Sequence, residues 1–191
     1  MSYFVTGATG FLGRFLMKNL VKREGVIYVL VRNESAYKVE LLREELGVTA
    51  DKVVAVVGDL AAPNLGVSEE MIATLKGNVK HFFHLAAIYD LTASEESQVV
   101  ANMDGTKHAI QLAETVNAGC LHHTSSIAAA GMFSGIFRED MFEEAEKLDD
   151  PYLRTKHDSE GLVRNSCSVP FRIYRPAMVV GHSKTGEMDK I

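Results

Sequence analysis

Thr6-Gly7-Ala8-Thr9-Gly10-Phe11-Leu12-Gly13 lies between a short apolar run, Phe4-Val5-Thr6, and a segment of helical period. That segment runs from Phe11 to Lys22, with Phe11, Leu12, Phe15, Leu16 and Leu20 at helical spacing. Glycines spaced G-x-x-G-x-x-G at such a junction have a physical use. Gly7 can make a tight turn, Gly10 lets the backbone approach an anion, and Gly13 lets the helix pack closely on the sheet. The unpaired N–H groups and the dipole at the helix start then favour a pyrophosphate. Thr6, Gly7, Thr9, Gly10, Phe11, Leu12 and Gly13 are therefore candidate cofactor-binding residues. A glycine triplet alone is weak evidence. The strand before it and the helix after it supply the context the motif requires.

Outward from this turn the same alternation continues. Val26 to Val31, Val53 to Val57, Val79 to Leu85, Leu121 to Thr124 and Phe171 to Tyr174 read as short buried strands. Between them come helical segments. Ser35 to Leu46 is charged and ended by Gly47, and Ser68 caps a stretch with Met71, Ile72 and Leu75. Val99 to Val116 and Pro151 to Arg164 follow. Strands separated by helices imply right-handed crossovers and a parallel sheet with helices on both faces. The expected fold is α/β, a doubly wound sheet of the Rossmann kind with strand order 3-2-1-4-5-6.

The bulk properties agree. With 191 residues, 47% hydrophobic and 24% charged, the chain suits one globular domain spanning residues 1–191. No apolar run approaches the roughly 18 residues needed to span a bilayer. Met1 to Val5 carries no basic, signal-type region, so a cytoplasmic location is expected. A net charge of -5 argues against a nucleic-acid partner. Cys120 and Cys167 are too few for a disulfide framework or a zinc site. The chain stops at Ile191, soon after a loop-like Ser183-Lys184-Thr185-Gly186, so an excised domain or a partial sequence is expected.

Other strand ends add candidates. The second strand ends in Val31-Arg32-Asn33, where an NAD-selective site usually has a carboxylate. Arg32 can chelate a 2′-phosphate in a bidentate fork, which favours NADP(H), although Glu34 is close. Lys38 and Arg43 read as surface charges that can assist. Asp59, in Gly58-Asp59-Leu60, is placed either to accept from an adenine amino group or to form a turn. Leu60 belongs to the same candidate set. Ala86 and Ala87 are small and leave room for the cofactor after the fourth strand.

Tyr152 and Lys156 are four apart, behind a plausible N-cap, Asp150, and N1 proline, Pro151. That spacing puts both on one helix face. An ammonium lowers the pKa of a nearby phenol, which can then protonate a developing alkoxide near neutral pH. Ser126 ends the fifth strand at the carboxyl edge of the sheet, where it can polarise a carbonyl or cap a turn; Ser125 and Thr124 are alternates. His122-His123 point to opposite faces of a regular strand and so cannot chelate one ion; no metal is expected. Met132 to Asp150 carries seven acidic residues from Glu139 onward, interleaved with Met132, Phe133, Phe137, Met141 and Phe142. It reads as a solvated segment with a buried apolar side, or as a flap over an apolar substrate.

Taken together, the residues resemble the extended short-chain dehydrogenase/reductase superfamily along the whole chain. The resemblance rests on T-G-A-T-G-F-L-G, G-D-L, H-L-A-A, Asn102 to Thr106, the serines ahead of Gly131, Y-x-x-x-K, and Tyr174-Arg175-Pro176. It implies a catalytic tetrad of Asn102, Ser126, Tyr152 and Lys156. Tyr152 would be the acid/base, Lys156 would also hold the nicotinamide ribose, Ser126 would orient the carbonyl, and Asn102 would be mainly structural. Val29 to Arg32, His84 to Leu91 and Tyr174 to Gly181 are similar to fatty acyl-CoA reductases and to the thioester reductase domains of carboxylic acid reductases. That branch implies NADPH, an apolar acyl substrate, Pro176 beside the nicotinamide, and a C-terminal substrate part that this sequence lacks. A homodimer through the helices carrying Asn102 and Tyr152 is implied by analogy alone. Two rivals remain: a nucleotide-sugar epimerase or dehydratase of the same fold, and a non-catalytic NADP-sensing protein.

Overall fold

The computed structural model describes residues 2–87, 96 and 99–186. Six strands form one sheet: β1 (Ser2–Thr6), β2 (Val26–Val31), β3 (Val53–Val57), β4 (Val79–His84), β5 (Leu121–Thr124) and β6 (Phe171–Tyr174). Their spatial order is β3-β2-β1-β4-β5-β6, and each neighbouring pair is parallel. The order reverses between β1 and β4, which opens a crevice at the carboxyl ends of those two strands.

Period-two alternation along the strands divides the core. Tyr3, Val5, Ile27, Val29, Val31 and Val53 face one side. There Met17 and Leu20 of α1 (Phe11–Leu20) and Val39 and Leu42 of α2 (Tyr37–Leu46) pack on them. Phe4, Leu30, Val56, Phe82 and Leu121 face the other side. They meet α3 (Glu69–Leu75), α4 (Gly105–Thr115) and α5 (Pro151–Ser166). Ser68 caps α3, its side chain accepting from Met71 N–H at 3.3 Å. Gly47 ends α2 in a left-handed conformation, φ 63°. Among the described residues, no helix is long and apolar enough to cross a membrane.

Two elements differ from expectation. A 3-10 turn, Asn33–Ser35, precedes α2, which itself starts only at Tyr37. The expected single helix from Val99 to Val116 is a π-helical turn, Val99–Asp104, running into α4. Apolar periodicity does not distinguish the two, because a π turn widens the helix without changing residue types. Asn102 is the buried residue of that turn.

Candidate active site

The glycine turn is set by contact between backbones. Gly7 has φ +73°, and a Cβ on it would lie 2.7 Å from the Ala86 nitrogen. A Cβ on Gly13 would fall 2.0 Å from the Gly7 carbonyl oxygen. The third glycine therefore packs α1 onto the turn itself rather than onto the sheet, as the spacing had suggested. Gly10 N–H donates to the Gly7 carbonyl at 3.1 Å. Gly10 is the N-cap of α1, with no side-chain cap and no acidic residue in the first turn. The N–H groups of Phe11, Leu12 and Gly13 are thus orphan donors at a positive helix end, beside Thr9. This cradle fits a pyrophosphate.

Thr6 ties the turn to the next strand end. Its Oγ1 accepts the Ala86 N–H at 3.2 Å and lies 2.8 Å from His84 Nδ1. On the other side of the ring, His84 Nε2 lies 3.3 Å from Thr106 Oγ1 of α4. Ala87 is exposed next to this junction. Ile88 to Leu91 lie outside the described residues.

A cleft of about 410 Å³ lies beyond the ends of β2 and β3, lined by Arg32, Asn33, Glu34, Val57, Asp59 and the glycines Gly58 and Gly66. It gathers Arg32 and Asp59 at one place. The Arg32 side chain is 69% exposed, and its Nε lies 3.3 Å from Glu34 Oε1. An exposed pair of this kind is weak and easily exchanged for another anion. Asp59 Oδ1 accepts the Ala61 N–H at 2.9 Å, the turn-forming alternative, while the residue stays exposed. The Leu60 side chain packs beside Gly105, and its carbonyl lies 2.8 Å from His108 Nδ1. Arg43 is not a free surface charge. Its Nε donates to the Val53 carbonyl at 2.7 Å, pinning α2 to β3, and it pairs with Glu40.

Tyr152 and Lys156 stand one turn apart at the start of α5. Asp150 caps that helix, its Oδ1 accepting from Tyr152 N–H at 2.9 Å and Leu153 N–H at 3.2 Å. Both side chains are buried, Lys156 to 5% exposure. Burial pushes the Lys156 ammonium down to about 8. Its Nζ lies 3.5 Å from the Thr124 carbonyl at the end of β5. Asn102 donates from Nδ2 to Thr155 Oγ1 at 3.3 Å, so the π turn is fastened to the Tyr–Lys helix. Beneath Lys156, His84 and His123 stack at 5.7 Å between centroids. Burial, and then the Lys156 charge, holds His84 down to about 3. Burial also holds His123 far below its ordinary value. Among the described residues, neither nitrogen of His123 has a partner. The neighbouring His122 lies on the opposite face, where it stacks on Phe83 and bonds His81 and Tyr174.

Of the three hydroxyl candidates on β5, the structure separates two. Ser125 is buried and donates to Glu160 Oε2 at 2.7 Å. Ser126 Oγ accepts the Ala128 N–H at 3.1 Å, capping the 3-10 turn Ile127–Ala130. That leaves its own proton to donate. Ile127 N–H bonds the Pro176 carbonyl at 3.1 Å, which brings Pro176 alongside Ser126. A second cleft of about 450 Å³ opens beside Tyr152, lined by Met132, Lys147, Asp149, Asp150, Tyr152 and Leu153.

The acidic segment forms no regular helix. It is fastened to α5 through its apolar side, against His157 and Arg164. Phe142 stacks on His157 at 4.2 Å, and Arg164 lies over the Phe142 ring. Met132 N–H bonds the Glu146 carbonyl at 2.7 Å beside Gly131, whose φ is +62°. Glu160 and Arg175 were missed from the sequence.

The chain matches a family of NAD-binding domains described as Male sterility protein over residues 5–191. It is 31% identical to a non-canonical nonribosomal peptide synthetase, hkm10, of Aspergillus hancockii, over 96% of this chain and 20% of that protein. It is 27% identical to a putative fatty acyl-CoA reductase, CG8306, of Drosophila melanogaster, over 92% of this chain and 43% of that protein. Among solved structures, it resembles the terminal R domain from the myxalamid PKS-NRPS biosynthetic pathway. The TM-score is 0.84 at 31% identity, covering 98% of this chain and 52% of that one. The chain thus spans half or less of the length of these curated relatives.

Proposed function

The chain belongs to the Male sterility protein family of NAD-binding domains, and we propose that it is the NADP(H)-binding part of a longer reductase acting on an acyl-thioester or aldehyde carbonyl. The observation that carries this reading is the buried Tyr152–Lys156 pair, set one turn apart on α5 beside the end of β5. Relatives named as a fatty acyl-CoA reductase and an R domain support the carbonyl class.

The glycine turn and the start of α1 would hold the pyrophosphate, Arg32 the 2′-phosphate and Asp59 the adenine edge. A bound nicotinamide supplies hydride to the carbonyl carbon. Charge then develops on the carbonyl oxygen, and the remaining work is done by side chains. Ser126 donates a hydrogen bond to that oxygen. Tyr152 delivers the proton, and the Lys156 ammonium stabilises the phenolate left behind. A Lys156 held down to about 8 is still mostly charged at neutral pH.

Glu34 favours a second reading, since it lines the same cleft as Arg32. A carboxylate there suits a ribose 2′-hydroxyl, hence NAD and a nucleotide-sugar epimerase or dehydratase. Fluorescence titration with NADPH and NADH separates the two. The reductase reading expects tighter NADPH binding, reduced about 10- to 100-fold by Arg32→Ala, the loss of a charge-assisted fork. It also expects NADPH consumption with decanoyl-CoA or decanal by the full-length protein. Preference for NADH, unaffected by Arg32→Ala, would overturn it.

A further inference from the structure

We propose that Glu160 is a positioning residue, a single buried carboxylate that locks three segments around Tyr152 and Lys156: the Ser125–Ser126 turn, the Arg175–Pro176 turn and residues 138–142. The inference rests on the reductase reading above. Glu160 follows Lys156 by four and Tyr152 by eight, so all three share one face of α5. Its exposure is 0%. Oε1 accepts from Arg164 Nε at 2.8 Å and from Arg175 Nη2 at 2.6 Å. Oε2 accepts from Ser125 Oγ at 2.7 Å and from Arg175 Nε at 3.0 Å. Each oxygen thus has two donors, and Arg175 grips both in a fork. Burial alone would raise this carboxyl, but the bonds from Arg175, Ser125 and Arg164 outweigh it and hold the group below its ordinary value.

What these donors are attached to gives the arrangement its meaning. Ser125 directly precedes Ser126. Arg175 directly precedes Pro176, whose carbonyl accepts from Ile127 N–H on the other side of Ser126. Arg175 also donates from Nη1 to the Arg138 carbonyl at 3.1 Å and from Nη2 to the Met141 carbonyl at 2.7 Å. Its guanidinium lies 5.0 Å from the Phe137 ring centroid. Apolar packing would hold these loops together but would not fix their direction. Four directed bonds to one carboxylate do, and a filled buried network tolerates little slack. A misplacement near 1 Å at a reacting group is enough to cost about 100-fold in rate.

The test uses the full-length protein with Glu160→Gln, Ser125→Ala, the double variant and Tyr152→Phe as control. NADPH affinity, kcat and KM with decanal and decanoyl-CoA, and amide exchange at Met132 and Glu146 are measured below the unfolding range of every variant. Positioning predicts NADPH binding within about twofold of the parent and kcat about 30-fold lower in Glu160→Gln. It predicts a smaller fall in Ser125→Ala, and a double variant no slower than Glu160→Gln because both act through one bond network. Exchange at Met132 and Glu146 should quicken in Glu160→Gln. Unchanged kcat, effects that multiply, or unchanged exchange would overturn the proposal. If Glu160→Gln does not fold, Ser125→Ala decides by the same kcat comparison. Absence of turnover of decanal and decanoyl-CoA in the parent itself sinks the reductase reading instead, and the exchange result still decides what Glu160 does.

Discussion

At the turn after β1 the surface is set by contacts between backbones, whereas around β5 and β6 it is set by paired side chains. In the first region Gly7 lies against the Ala86 backbone and Gly13 against the Gly7 carbonyl, so closely that neither glycine has room for a Cβ. Apolar residues on both faces of the strands hold that contact in place. In the second region the groups are held by polar side chains. Asn102 is fastened to Thr155, Ser125 to Glu160, and Arg175 to the carbonyls of Arg138 and Met141. Its outer rim is apolar and open, with Met132 and Met178 largely exposed and Ile136 at 84%. The contrast teaches that the proposed cofactor end is defined by what cannot be present, and the proposed chemical end by what must be paired.

The hardest break falls on the backbone-built region. Gly13→Ala places a methyl 2.0 Å from the Gly7 oxygen, so α1 must shift. Overpacking of this kind costs about 3 kcal/mol, and NADPH binding should be lost. Gly10→Ala is the matched comparison: its Cβ would meet nothing nearer than 3.4 Å, and folding should survive. Chemical denaturation and cofactor titration of the two variants check this.

Acid acts on the other region. His84 and His123 are buried neutral, with folded values depressed below the unfolded value near 6.5. Stability is therefore complete above pH 6.5 and is lost as pH falls, for His84 down to about 3. The slope approaches about 1.4 kcal/mol per pH unit for each ring. Denaturation midpoints from pH 7 to 4 should follow it. His123→Phe should remove one ring's share of the slope. Because neither His123 nitrogen has a partner among the described residues, the same change should add about 1 kcal/mol at pH 7. The smallest effect is expected far from both regions: Ser68→Ala should cost about 0.5–1 kcal/mol through its lost cap on α3.

The same contrast explains what the sequence disclosed. The order of six strands followed from apolar runs and crossover handedness, and every strand except β1 and β4 falls on its expected bounds. The glycine turn was legible because steric exclusion leaves a residue-type signature. Asn102, Ser126, Tyr152, Lys156 and Pro176 are singled out by family resemblance and spacing; in the structure Asn102 bonds Thr155 of α5, Lys156 reaches the Thr124 carbonyl of β5, and Pro176 accepts from the residue after Ser126. The π turn was not legible, since it changes hydrogen bonding and not composition. Nor was the Glu160–Arg175 joint, because its partners are scattered from residue 125 to 175 and nothing local marks a charge as buried. Leu60 was drawn into the cofactor set by its neighbour Asp59, yet its side chain serves the packing against α4.

The most direct test of the account asks whether the two regions can be separated by one oxygen atom. Tyr152→Phe in the full-length protein should bind NADPH as the parent does, within about twofold, because the proposed cradle is the glycine turn and the Arg32 cleft. Its turnover of decanoyl-CoA or decanal should fall by about 100-fold or more, the contribution of a positioned acid. Undiminished turnover would contradict the assignment of the proton to Tyr152, and NADPH binding lost together with turnover would contradict the separation of the two regions.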